Sequence, residues 1–248
     1  MSSQRTEVVY GLHAVRALLT RYPERVARVL LQQGRHDARA DEIERLARAA
    51  GRLVERMDPK QLRARLGEAV HQGIVAEVAP LAAWGEEQLL AAVTKTADPM
   101  VLALDGVQDP HNLGACLRTA DACGVLAVIV PRDRAAPLNA TARKVAAGAA
   151  ETTPVATVTN LARTLGLLKG AGLWIVGADA DAPQQPHEID LTGPRVLVMG
   201  AEGSGLRQLT RRHCDWLARL PSLGAVESLN VSVATGMLLY EALRQRGP

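Results

Sequence analysis

Residues 100–120 read MVLALDGVQDPHNLGACLRTA. An apolar run from Met100 ends in Asp105 and Gly106, and after a short polar loop an Ala- and Leu-rich helix is expected from Asn112. An apolar strand feeding directly into a helix is the repeating unit of a parallel sheet, so this stretch sets the fold class for its surroundings. At the junction Asn112 reads as the helix N-cap, Gly114 as a point where backbone can approach a ligand, and Arg118 as the one cation of the helix. A capped helix with a surface arginine accounts for the same residues, so the stretch alone does not decide function.

Working outward, the same alternation recurs. On the C-terminal side follow the strand VLAVIVP (125–131), the helix TARKVAAGAAE (141–151), a helix near 160–169, and the strands LWIVGAD (173–179) and RVLVMGAE (195–202). A helix near 205–213, the segment WLARL (216–220) and a final helix from Leu229 to about Gln245 complete it. Near-continuous apolar strands separated by helices imply a mostly parallel sheet covered on both faces, an α/β fold. On the N-terminal side, GLHAVRALLTRY, ARADEIERLARAAG (closed by Gly51) and DPKQLRARLG (opened by Asp58 and Pro59) have helical spacing. VARVLLQQ, LVERM and GIVAEVA read as strands, giving a small αβαβαβ unit. The expected division is a domain over 1–78, a helix-bearing linker over 79–97 and a second domain over 98–248.

A chain of 248 residues with 48% apolar side chains has ample material for a packed core. It holds no apolar stretch of about 18 residues and no charged-then-apolar leader, so a cytoplasmic protein that does not enter a membrane is expected. Cys116, Cys123 and Cys214 lack paired spacing and read as buried free thiols, and the six histidines form no ligand pattern, so no metal is expected. Charge is uneven. Residues 1–80 carry 14 Lys and Arg, all but one Arg, against 10 Asp and Glu, whereas the rest of the chain carries 15 against 16. That makes the N-terminal part the expected nucleic-acid footprint, although a solvated helix face of paired Arg and Glu has the same composition. With no Phe, three Trp and three Tyr, base stacking on aromatic platforms is not the main mode of recognition.

Ligands of such sheets sit beyond the strand C-termini, and two more loops stand out there. VLVMGAEGSGL (196–206) runs an apolar strand into three glycines and one carboxylate, Glu202, a loop whose backbone N–H groups can cradle a ligand. Its glycine order, G-x-x-G-x-G, is neither the dinucleotide fingerprint nor a P-loop, and Ser204 lacks a nucleophile-elbow frame. RLPSLGAVESLNVSVATGMLLYEAL (219–243) leads through Ser228 and Asn230 into a helix; Ser228 could simply cap it while Asn230 satisfies backbone groups.

Together N-x-G-x-x-x-R-T-A at 112–120, M-G-A-E-G-S-G-L at 199–206 and S-L-N-V-S-V-A at 228–234 resemble the three signature motifs of the SpoU/TrmH family of RNA ribose 2′-O-methyltransferases. YGLHAVRALL at the N-terminus and HQGIVA at 71–76 resemble the substrate-binding domain of the bacterial enzymes that methylate guanosine riboses of 23S rRNA. The resemblance implies S-adenosylmethionine as cofactor, a C-terminal domain threaded into a trefoil knot, an L30e-like N-terminal domain that grips RNA, and a homodimer. It also implies site roles. Arg118, Asn112, Glu202, Ser228 and Asn230 match catalytic positions, and Gly200, Leu220 and Leu229 match those surrounding the adenosine part of the cofactor. Arg118 is expected to clamp a target phosphate rather than act as base, because a guanidinium only donates. The alternatives are a tRNA substrate and a catalytically silent RNA-binding member; a serine hydrolase through Ser204 or Ser228 lacks triad context.

Overall fold

The computed structural model describes residues 6–67, 71–79, 84–225 and 228–247. It divides into two compact units, one of residues 1–82 with 147–152, the other of residues 83–146 with 153–248.

In the first unit the order is β1 (Glu7–Tyr10), α1 (Leu12–Arg21), β2 (Val26–Gln32), α2 (Ala38–Ala49), β3 (Leu53–Met57), α3 (Pro59–Leu66) and β4 (Ile74–Val78). The sheet order is β1-β4-β2-β3, with β2 and β3 parallel and β4 antiparallel to both of its neighbours. Strand β1 is the element that helical periodicity does not predict; four residues are too few to show alternation. Side-chain alternation along β2 puts Val29 and Leu31 in a core with Leu18 of α1 and Ile43 of α2, while Leu30 turns to the other face against Leu62 of α3 and Val75. Each such burial contributes about 1.5–3 kcal/mol before entropy is counted. Helices α2 and α3 begin where Asp37 accepts hydrogen bonds from the Arg39 and Ala40 N–H groups and Asp58 accepts one from the Lys60 N–H.

The second unit begins with α4 (Glu86–Lys95) and continues through β5 (Met100–Asp105), α5 (Pro110–Ala122), β6 (Ala127–Pro131) and α6 (Ala140–Val145). After α7 (Ala149–Thr152), which belongs to the first unit, come β7 (Val155–Val158), α8 (Leu161–Gly170), β8 (Trp174–Ala178), β9 (Arg195–Gly200), α9 (Gln208–His213), β10 (Trp216–Ala218) and α10 (Val231–Arg246). Six strands in the order β10-β8-β9-β5-β6-β7 are all parallel. One face packs Val101, Ala103, Ile129, Val196 and Val198 against Leu165 and Leu168 of α8. Leu102, Leu104 and Leu197 alternate to the other face and are equally buried, which is why these strands read as unbroken apolar runs.

The structure corrects several expectations. Of the stretch expected as a linker, residues 80–83 lie outside the described residues, but α4 sends Leu89 and Val93 into the core of the second unit and Trp84 bridges to Ala156. Helix α5 starts at Pro110 with Asp109 as its cap, accepting from the His111 N–H at 2.8 Å, so Asn112 is not the cap but lies inside the helix. The expected helix 141–151 breaks into α6 and α7 at Ala147 and Gly148, both with positive φ (51° and 105°). The final helix is capped by Asn230, not Ser228, and starts at Val231.

Candidate active site

Strands β5 and β9 are neighbours in register, with Asp105 beside Gly200, so the first two motif loops leave the sheet from one point. Asp105 is buried and ties them together: one carboxylate oxygen accepts the Arg207 N–H at 2.9 Å and the other lies 3.4 Å from the Arg207 Nε. Beyond Gly200 the chain folds back sharply, the Ala201 and Gly205 backbones exchanging hydrogen bonds of 3.1 and 2.9 Å. A Cβ on Gly200 would stand 2.2 Å from the Gly205 carbonyl carbon, so glycine is required there by the loop's own closure.

That pinched loop presents Glu202. Its Oε1 accepts the Asn230 Nδ2 at 2.7 Å, the Val231 N–H at 3.2 Å and the Asn112 Nδ2 at 3.3 Å. Asn230 also donates to the Asn112 Oδ1 at 3.0 Å, while its own Oδ1 caps α10 by accepting the Ser232 N–H at 2.9 Å and hydroxyl at 2.6 Å. Three polar side chains, one from the first turn of α5, one from the loop after β9 and one capping α10, thus form one network. The Glu202 carboxylate also sits at the N-terminus of a 16-residue helix, where the helix dipole favours negative charge. Asn112 can join because Asp109 relieves it of capping, leaving its amide free on a buried helix face.

Arg118 lies elsewhere on α5. Six residues after Asn112, it stands about 9 Å along the axis and about 120° around it. It is exposed and forms no hydrogen bond or ion pair with any described residue. Ser228 is exposed and outside the network; residues 226–227 before it lie outside the described residues. Gly200, Leu220 and Leu229 are half-buried, Leu220 two residues beyond β10 and Leu229 next to Asn230. Gly114 serves a different end from the one its motif suggests. A Cβ there would lie 2.5 Å from the Ala142 carbonyl oxygen and 2.7 Å from the Val145 Cβ, so this glycine lets α5 and α6 cross closely. Sequence reasoning leaves out Asp105 and Arg207 as loop anchors; a carboxylate closing an otherwise apolar strand is the signal that could have found the first.

Of the thiols, Cys116 is buried and Cys123 and Cys214 are half-buried. Burial pushes the Cys116 thiol up to about 11 and that of Cys214 up to about 12, so neither is a nucleophile near neutrality. Among the described residues no cluster of three or more His, Cys, Asp or Glu could hold a metal ion, and no helix is long and apolar enough to cross a membrane.

The profile of the SpoU rRNA methylase family matches residues 99–240, a span that includes all three loops. The chain belongs to the SpoU rRNA methylase family. A profile described as RNA 2′-O ribose methyltransferase substrate binding covers residues 8–84, over most of the first unit. The SpoU chain is 57% identical to the 23S rRNA (guanosine-2′-O-)-methyltransferase RlmB of Pseudomonas aeruginosa, over 98% of both chains. It is 51% identical to RlmB of Escherichia coli, over 97% of its own length and 99% of the relative's. Among solved structures, the SpoU methyltransferase AviRb of Streptomyces viridochromogenes in complex with AdoMet has a TM-score of 0.75 at 25% identity, over 97% of this chain and 90% of that one.

Proposed function

We propose that this chain transfers the methyl group of S-adenosylmethionine to the 2′-hydroxyl of a guanosine in 23S rRNA, as a cytoplasmic homodimer and without a resident metal. The observation that carries the reading is the meeting of Asn112, Glu202 and Asn230 at one point, in a chain at least half identical to RlmB enzymes over nearly its whole length.

The residues present suit the cofactor. Loop 201–205 offers backbone donors around turns at Gly203 (φ 78°) and Gly205 (φ 63°), and half-buried Leu220 and Leu229 offer the neutral apolar lining an adenine ring needs. When bound, S-adenosylmethionine supplies an electrophilic methyl group on a sulfonium. The chain's part is to hold the ribose in line and stabilise the negative charge that develops on its 2′-oxygen. Asn230, anchored at both ends of its amide, contacts the ribose, with Asn112 and Glu202 fixing its rotamer and Ser228 completing the rim. Arg118, whose guanidinium has no described partner within the chain, clamps the target phosphate, and the hydroxyl proton leaves to a phosphate oxygen or water.

Helix α10 supports the dimer. Val233, Met237 and Tyr240 are 52%, 44% and 66% exposed on the face opposite buried Val231, Leu238, Leu239 and Ala242. An apolar stripe at i, i+4 and i+7 on an otherwise packed helix suits a second copy. The family reading also carries the threading of the C-terminal segment into a knot, with which the return of Asn230 to Glu202 is in keeping.

The test offers tritiated S-adenosylmethionine with 23S rRNA and tRNA in separate reactions, followed by digestion to nucleosides. Label in 2′-O-methylguanosine from 23S rRNA alone is expected. Label in tRNA would overturn the substrate, and RNA binding without transfer to either would overturn the activity in favour of a silent RNA-binding protein.

A further inference from the structure

We propose that Arg134, with Arg207 beside it, forms a cationic rim that binds phosphodiester groups of the RNA next to the target nucleotide. The inference rests on the proposed methyl transfer to RNA and names two residues that none of the three motifs marks as ligand contacts.

Strand β6 lies next to β5 on the side away from β9, so the loop that follows it, residues 132–139, emerges at the same end of the sheet as the site. The Ala136 N–H donates to the Val107 carbonyl at 2.8 Å, which ties this loop to the first motif loop. Both meet at Gly106. The point a Cβ on Gly106 would occupy lies 3.8 Å from the Arg134 carbonyl oxygen and 3.3 Å from the Arg207 Nη2. The backbone of one arginine and the guanidinium of the other therefore rest against the same glycine.

Arg134 is the informative residue. Its φ is +57°, a left-handed conformation that glycine or asparagine adopts at less cost than a long side chain does. If the turn were the only requirement, glycine would serve it better. The arginine side chain brings no compensating contact inside the chain, since it is exposed and forms no hydrogen bond or ion pair with any described residue. Asp133 is the single carboxylate of the loop, against Arg132 and Arg134, and it too is exposed. Arg207 is partly neutralised by Asp105 through Nε, yet its side chain stays 41% exposed. A planar donor fork held at the mouth of a site, with no internal acceptor, suits a phosphate oxygen.

The left-handed backbone also makes the test clean. In Arg134→Gly the guanidinium goes while the loop keeps a conformation glycine favours, so a loss reports the side chain and not the turn. Binding of full-length 23S rRNA is measured by filter retention between about 50 and 200 mM KCl, and binding of S-adenosylmethionine by calorimetry. Arg134→Gly is expected to weaken RNA binding about three- to tenfold and to make the slope of log affinity against log salt shallower by about 0.7. Arg134→Lys should recover most of that slope. Lys95→Ala, which removes an exposed cation before the opposite end of β5, should match the wild type. S-adenosylmethionine affinity should stay within about twofold of wild type. An unchanged salt slope in Arg134→Gly would overturn the rim, as would a loss confined to S-adenosylmethionine affinity, which would reassign the arginine to the cofactor carboxylate. Methyl transfer by the wild type, scored on the same preparation, separates failure of this proposal from failure of the functional reading.

Discussion

Both units pair part of their arginines internally, and they differ in what surrounds the ones left over. In the first, Arg28 bonds Glu77 at 2.6 Å and Glu55 at 3.1 Å, Arg65 also reaches Glu77, Arg48 and Arg56 share Glu44 at 2.7 Å each, and Arg35 bonds Asp37 at 2.8 Å, while the exposed Arg21, Arg39, Arg45 and Arg63 have no side-chain partner among the described residues. In the second, Arg207, Arg211 and Arg244 are paired with carboxylates, whereas Arg134 stands exposed without a described partner near a site whose other polar groups are already joined to one another, and Arg118 does so farther along α5. A net charge of +4 over residues 1–80 against −1 over the remainder therefore does not by itself locate the cations available to a polyanion. What counts is the free donor, because a guanidinium in a bidentate carboxylate pair has spent the fork that a phosphate would need. In the first unit the donors still available are those of Arg21, Arg39, Arg45 and Arg63.

The sharpest way to break this contrast is Arg118→Ala. Turnover should fall by about three orders of magnitude, as expected for loss of a group that stabilises developing charge, with S-adenosylmethionine affinity and melting temperature nearly unchanged. Single-turnover kinetics beside calorimetry reads both. Next comes Asn230→Ala, which removes the proposed ribose contact and a helix cap together. It should lower kcat/KM about a hundredfold and stability by about 1 kcal/mol, seen in urea denaturation. Gly114→Ala should cost about 1–3 kcal/mol by overpacking α5 against α6, while kcat per folded molecule changes little.

The smallest effect belongs to the first unit. Hydrogen bonds from Arg28, then the charge of Arg65, hold the Glu77 carboxyl below the usual carboxylate range. The unfolded chain, with an ordinary value near 4.5, takes up the proton first as pH falls. The stability this group contributes is therefore present above about pH 4.5 and lost below it. Glu77→Gln should lower stability at pH 7 by about 1 kcal/mol and flatten the acid limb of a melting-temperature profile, with methyl transfer at pH 7 largely retained.

Much of the fold is legible in the residues. The unbroken apolar runs of β5, β6 and β9 announce a sheet covered on both faces, and Asp58-Pro59 announces the start of α3. The same Asp-Pro signal at 109–110 starts α5, yet Asn112 three residues later competes for the reading, and its true place as the buried member of a partly exposed network depends on loops about 90 and 118 residues away. Strands β1 and β7 are four residues each, too short for a period to register. Of the site, Glu202 stands out as a polar residue just past a strand and Asn230 as one that opens a helix. Gly114 looks like a ligand glycine because its real neighbours, Ala142 and Val145, come from a helix whose packing no local pattern records. The left-handed backbone of Arg134 leaves no mark in sequence at all, since an arginine there contradicts local preference.

The most direct test of the account is mass spectrometry of 23S rRNA from a bacterial strain lacking its own guanosine 2′-O-methyltransferase of this family, complemented with this chain or with its Arg118→Ala variant. The account predicts one restored 2′-O-methylguanosine with the wild-type chain and none with the variant at equal expression. No restored modification with the wild type, or equal modification by both, would contradict it.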